Sequence, residues 1–326
     1  MVYKIFIDGE AGTTGLQISD RLRDRADLSL ISIDPAFRKD RATRAAALNS
    51  ADAVILCLPD TAAKEAVSLI DRKDVRVIDA STAHRVTPGW TYGFAEMDRD
   101  QRNAIAGSKR VANPGCFATG AIALLRPIVK AGMLPREFPV TVNAVSGYTG
   151  GGKNLIAEFE DAAPPTGTHD AFRVYDLRLA HKHLPEIEAY SELAHPPVFA
   201  PSVGRYAQGM IVEVPLQLWA LPGTPTPMDL RDVLAAAYDG EQFVDVASEN
   251  EAEHLQQARV NANGYVAALD PESLNGTNRM RLFIFGSEDK RQARLIALLD
   301  NLGKGASGAA VQNLNLMLGL NEAAGL

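Results

Sequence analysis

The stretch Tyr3-Lys4-Ile5-Phe6-Ile7-Asp8-Gly9-Glu10-Ala11-Gly12-Thr13-Thr14-Gly15-Leu16 decides the fold. The apolar run from Tyr3 to Asp8 predicts a short strand. The glycines predict a tight turn, and Leu16, Ile18 and Leu22 recur at helical spacing. Glycines at 9, 12 and 15 let the backbone approach a pyrophosphate, and the helix start offers unpaired N–H groups and a positive dipole end. The spacing is not G-x-G-x-x-G, so its weight comes from its place between the first strand and a helix. Gly9, Gly12, Thr13, Thr14 and Gly15 are therefore candidate cofactor contacts, set against the simpler reading of a strand-to-helix turn without a ligand.

Outward from this unit, residues 28–33, 53–58 and 75–79 predict further strands separated by helical patterns. The near-continuous apolar run Ala53-Val54-Ile55-Leu56-Cys57-Leu58 suits a parallel sheet buried on both faces, and the alternation implies a doubly wound α/β domain. After a helix that begins near Cys116 the texture changes. Residues 140–145, 210–219, 280–285 and 295–299 predict strands of a mixed or antiparallel sheet, while 147–153 is a glycine-rich loop and 221–228 a proline loop. Residues 303–320 start in small side chains and become an apolar helix through Val311, Leu314, Met317 and Leu318.

A chain of 326 residues suits two domains. Its formal charge of −7 argues against a nucleic-acid partner, so an anionic ligand must be met by local cations. No run approaches a membrane span, and the opening Met1–Asp8 reads as the start of a strand pattern, so no signal peptide is expected. Two cysteines are too few for a disulfide framework, so the expectation is a cytoplasmic protein with reduced thiols and no metal. His181 and His183 lack a third and fourth metal ligand beside them.

Cofactor choice rests on Ile33-Asp34-Pro35-Ala36-Phe37-Arg38-Lys39. An acid at such a position usually takes a ribose hydroxyl of NAD, whereas cations accommodate the phosphate of NADP. Asp34 points one way and the adjacent Arg38 and Lys39 the other; the pair of cations favours NADP.

Ala112-Asn113-Pro114-Gly115-Cys116 places a cysteine at or near a helix start, where a thiolate is stabilised as a nucleophile for an acyl carbon. Cys57, inside a strand pattern, reads as inert. In His181-Lys182-His183-Leu184-Pro185-Glu186, His183 with Glu186 three residues on would supply an acid/base and its orienting group. His181 is the alternative acid/base if the segment is extended. Ser146-Gly147-Tyr148-Thr149-Gly150-Gly151-Gly152-Lys153 is a candidate anion cradle of backbone N–H groups, against the alternative of a flexible hairpin, and Arg85 is a candidate anion clamp.

Together these segments resemble the N-acetyl-γ-glutamyl-phosphate reductase family, in particular its shorter subgroup, over nearly the whole chain. The likeness rests on Gly12-Thr13-Thr14-Gly15-Leu16, Asp79-Ala80-Ser81-Thr82, Asn113-Pro114-Gly115-Cys116, Val145-Ser146-Gly147, the histidine segment, and Gly305 through Asn313. Aspartate-semialdehyde dehydrogenases share the cysteine but not this histidine segment. Where the longer subgroup has Ala-Gly-Arg after Ser-Gly, this chain has Tyr148-Thr149-Gly150, and Ala83-His84 precedes Arg85 where that subgroup has an acidic-aromatic pair.

The resemblance implies a Rossmann domain of residues 1–116 that 303–326 rejoin, and an α+β catalytic and dimerisation domain with a mixed sheet over 117–302. It implies NADP contacts at Pro59, Ser81, Gln312 and Asn313, and substrate contacts at Arg85, Asn113, Ser146, Gly147 and Lys153. It also implies a homodimer or homotetramer. The expected chemistry is reduction of an acyl phosphate through a Cys116 thioester. Backbone N–H groups and the Asn113 amide hold the oxyanion, and His183 protonates the thiohemiacetal oxygen. The alternatives are another acyl-phosphate reductase, for aspartyl phosphate or an aminoadipate adduct, a non-catalytic NADP-binding redox sensor, and a cysteine hydrolase.

Overall fold

A computed structural model describes residues 2–161, 167–257, 260–261, 264–265 and 269–326. The chain divides into two compact units, Met1–Gly115 with Gly305–Leu326, and Cys116–Lys304. Cys116 thus opens the second unit.

The first unit runs β1 (Tyr3–Asp8), α1 (Thr13–Leu22), β2 (Leu28–Ile31), α2 (Arg41–Ser50), β3 (Ala53–Leu56), α3 (Asp60–Ser68), β4 (Arg76–Asp79), β5 (Thr91–Tyr92), α4 (Gln101–Gly107) and β6 (Arg110–Ala112). Its six strands are all parallel, in the order β2-β1-β3-β4-β6-β5. Because side chains alternate along a strand, Ile5, Ile7, Ile55 and Ile78 meet α1 and the closing helix Gly308–Leu318 on one face. Phe6, Val54, Leu56 and Val77 form the core on the other face with Leu48, Ala63 and Ala66 of α2 and α3. This is the doubly wound Rossmann-type arrangement, and Val311, Leu314, Met317 and Leu318 are the residues that bind the closing helix into it.

The second strand ends earlier than its apolar pattern, at Ile31. Asp34 instead caps a 3₁₀ turn at Pro35–Phe37, accepting from the Ala36 N–H at 2.9 Å.

The second unit runs α5 (Cys116–Lys130), β7 (Thr141–Gly147), α6 (Gly152–Glu160), β8 (Phe172–Val174), α7 (Leu184–Tyr190), β9 (Val198–Gly204), β10 (Met210–Gln217), α8 (Pro227–Ala237), β11 (Val244–Val246), α9 (Glu249–Gln257), β12 (Val260–Asn261), β13 (Gly264–Tyr265), β14 (Met280–Gly286) and β15 (Gln292–Leu299). Seven of these strands form one mixed sheet, β11-β14-β15-β10-β7-β9-β8, parallel at β11/β14 and β7/β9 and antiparallel elsewhere. The apolar helix α5 covers one face. A Cβ on Gly120 would stand 2.8 Å from the Val212 side chain, so glycine lets the helix lie close on β10. The opposite face carries an open groove of about 1020 Å³ lined by Phe138, Ile211, Trp219, Leu255, Phe285 and Ile296.

The glycine-rich segment after β7 is not a hairpin but a 3₁₀ turn, Tyr148–Gly151, that leads into α6. No helix among the described residues is long and apolar enough to cross a membrane. No group of three or more His, Cys, Asp or Glu among them is placed to hold a metal ion.

Candidate active site

Cys116 is the first residue of α5 and is partly exposed. A thiolate at a helix N-terminus faces the positive end of the dipole. The next residue, Phe117, is the hub of a ring cluster within the second unit. Its centroid lies 5.8 Å from His181, 5.9 Å from His183 and 5.3 Å from Phe199. The two imidazoles are perpendicular at 4.6 Å. The His183 N–H donates to His181 Nδ1 at 3.1 Å, so that nitrogen is an acceptor and a neutral His181 ring carries its proton on Nε2. His183 holds the N-cap position of α7, with no capping bond from its side chain, and it is buried, as is Glu186 three residues on. Helical spacing sets Glu186 three residues on from His183, and Pro185 in the first turn sets the helix going.

The first unit holds a cavity of about 260 Å³ lined by Gly9, Glu10, Ala11, Arg38, Lys39 and Arg44, among others. A Cβ on Gly9, whose φ is +92°, would run into the Cys57 carbonyl, and one on Gly15 into the Gly9 carbonyl. Glycine alone folds the turn this flat, which leaves the start of α1 open to a bulky anion. Gly12 is the N-cap of α1 and no side chain caps the helix, whereas Asp40 caps α2. Thr13 and Thr14 form the first turn. With its carboxylate committed to the 3₁₀ turn, Asp34 is replaced at the pocket by Arg38, Lys39 and Arg44. These residues fit a dinucleotide with an extra phosphate. Pro59 is the N-cap of α3 and Ser81 lies just past β4, where its hydroxyl donates to buried Asp79.

Several expected contacts are already engaged. Asn113 Nδ2 donates to the Ala306 carbonyl at 3.0 Å and its Oδ1 accepts from Asn313 at 3.0 Å, so this amide braces the closing helix instead of holding an oxyanion. Asn313 also donates to Gly93, and Gln312 donates to Glu96 and Glu322. Arg85 is buried and directs Nε to the Asn113 carbonyl and another nitrogen to that of Ala80. The Gly147, Tyr148 and Thr149 N–H groups donate to the Gly209, Tyr206 and Ala207 carbonyls at 2.9–3.0 Å. These amides therefore cannot form the anion cradle expected of this segment. Ser146 is buried with its hydroxyl on the Gly147 carbonyl, and Lys153 is exposed at the start of α6.

Comparison with known proteins places this geometry. The profile of the semialdehyde dehydrogenase NAD-binding domain matches residues 9–105, and that of the semialdehyde dehydrogenase dimerisation domain matches 116–301. The N-acetyl-gamma-glutamyl-phosphate reductase of Brucella anthropi is 54% identical over 97% of this chain and 98% of its own. N-acetyl-gamma-glutamyl-phosphate reductase 2 of a Nostoc species is 50% identical over 99% of both chains. The chain belongs to the N-acetyl-gamma-glutamyl-phosphate reductase family, within the semialdehyde dehydrogenases. Aspartate semialdehyde dehydrogenase from Francisella tularensis superposes with a TM-score of 0.70 at 14% identity, covering 98% of this chain and 100% of that one, a likeness of fold.

Sequence reasoning missed two residues that this reductase fold brings in. Tyr175 packs 5.9 Å from His181; burial first, and then the negative charge of Cys116 and of Asp176, pushes its phenol far above the usual tyrosine range. It remains a proton-bearing donor beside the thiol. No motif marks it, because it lies in an irregular segment after the edge strand β8. Arg44 reaches this pocket from α2, where its spacing reads as an ordinary helical cation.

Proposed function

We propose that the chain reduces N-acetyl-L-glutamyl 5-phosphate to N-acetyl-L-glutamate 5-semialdehyde with NADPH, releasing phosphate, in arginine biosynthesis in the cytoplasm. The observation that carries the chemistry is a thiol at the head of α5, with two imidazoles packed on the next residue, Phe117, and the Tyr175 phenol against one of them, His181. Such a set activates a sulfur nucleophile and handles the proton it releases.

In this reading Cys116 transfers its proton to His183, and the thiolate attacks the acyl carbon. The helix start stabilises the oxyanion, and the proton leaves on the phosphate oxygen as the carbon–oxygen bond breaks. The result is a thioester on Cys116. A nicotinamide held by the first unit would supply the hydride. His181, with its proton on Nε2, and Tyr175 donate hydrogen bonds to the thiohemiacetal oxyanion; its collapse breaks the carbon–sulfur bond, frees the aldehyde and leaves a Cys116 thiolate that takes a proton from solvent. The chain residues Gly9, Gly12, Thr13, Thr14 and Gly15 hold the pyrophosphate, and Arg38 and Lys39 the 2′-phosphate. The subunits pair as a homodimer through the apolar groove beside Ile211, Trp219 and Phe285.

The test is the reverse reaction. N-acetylglutamate 5-semialdehyde, NADP and phosphate are mixed and the absorbance of the reduced cofactor is followed. A phosphate-dependent rise with this substrate, and not with aspartate semialdehyde or the aminoadipate analogue, is the expected result. No rise with any of the three would overturn the reading.

A further inference from the structure

The cations around the cofactor pocket are neutralised in unequal ways. Arg44 is buried, bonded to buried Asp8 at 2.8 Å and to Glu65 at 3.3 Å. Pulling it away would strand a carboxylate out of water, which is costly. Arg38 meets Glu10 at 2.6 Å, but these side chains are 40% and 30% exposed. An ion pair that wet is worth little and opens readily. Lys39 is exposed and makes no side-chain bond or ion pair among the described residues.

Glu10 sits inside the glycine turn, two residues before the N-cap of α1, and lines the same pocket as Arg38. Its carboxylate therefore lies where the guanidinium favours an anion. We propose that Glu10 is an exchangeable stand-in for the cofactor's 2′-phosphate. It holds Arg38 at the pocket until the phosphate displaces it, and in doing so it moderates the affinity for the phosphorylated cofactor. The inference rests on the NADP reading above. A dianionic phosphate replaces the carboxylate with a stronger, bidentate partner for Arg38. A bare ribose hydroxyl brings no charge, so with it the Glu10–Arg38 pair stays closed.

The test needs no turnover. Calorimetry measures the affinity of 2′,5′-ADP and of 5′-AMP for the wild-type protein, Glu10→Gln, Arg38→Gln and the double variant; circular dichroism checks that each keeps its fold. Glu10→Gln is expected to tighten 2′,5′-ADP by about two- to fivefold and to leave 5′-AMP unchanged. Arg38→Gln is expected to weaken 2′,5′-ADP by about tenfold or more. In the Arg38→Gln background the gain from Glu10→Gln disappears. Equal tightening in both backgrounds would reduce Glu10 to a general field effect and overturn the proposal. So would no change, or weaker binding of either ligand on Glu10→Gln. Wild-type protein that binds 5′-AMP but not 2′,5′-ADP would instead sink the NADP reading beneath it.

Discussion

Cys57 and Cys116 have the same side chain and opposite surroundings. Cys57, half-buried like Cys116, follows β3 directly and packs on the core of the first unit. Burial, and then the charges of Asp79 and Asp8, push its thiol up to about 12. Cys116 opens α5, partly exposed, next to a ring cluster that includes two histidines. One sulfur is held as a thiol by carboxylates and loss of water; the other faces the positive end of a helix and groups that carry protons. Placement, not residue type, makes a nucleophile.

The largest effect expected is on Cys116→Ser, which should lose roughly a thousandfold or more in kcat. Steady-state assays of purified variants check this. His183→Asn should follow, with a loss of about a hundredfold, and His181→Asn should lose about tenfold. Equal losses would mean that the two rings share the proton transfer. Alkylation at pH 8 should then label one cysteine per chain. A thiol pushed up to about 12 holds only roughly one part in ten thousand as thiolate there, so peptide mapping should find Cys116 and not Cys57. The smallest effect is on Cys57→Ser, with kcat within about threefold of the parent and stability lower by about 1 kcal/mol in urea unfolding. Because the folded state raises the Cys57 pKa, its contribution is full below pH 9 and fades as pH rises toward about 12. The gap between parent and Cys57→Ser should therefore narrow over that range.

A second contrast shows how far the sequence could be read. Both glycine-rich segments suggest anion binding, and both follow a strand. In Gly9–Gly15 the turn folds flat and no side chain caps α1. In residues 147–153 the first three amides are committed to carbonyls of 206–209, a pairing between segments far apart in sequence. Local spacing reveals the first case and is blind to the second. The same holds for the Asn113 amide, whose partners Ala306 and Asn313 come from the chain's other end. Strands such as Ala53–Leu56, buried at every position, and Met210–Gln217, buried at alternate positions, were legible because burial writes itself into composition. Short or edge strands such as Thr91–Tyr92 and Phe172–Val174 carry too few residues for a period to show. Asp34 was ambiguous for another reason: an acid that caps a turn looks the same, in sequence, as one that grips a ribose.

The central claim is a thioester on Cys116, and its most direct test omits phosphate. With N-acetylglutamate 5-semialdehyde and NADP alone, the acyl group can reach the sulfur but cannot leave quickly. The account predicts a burst of one reduced cofactor per active chain, and an N-acetylglutamyl adduct on the peptide that carries Cys116. A burst without that adduct, or an equal burst from Cys116→Ser, would contradict it.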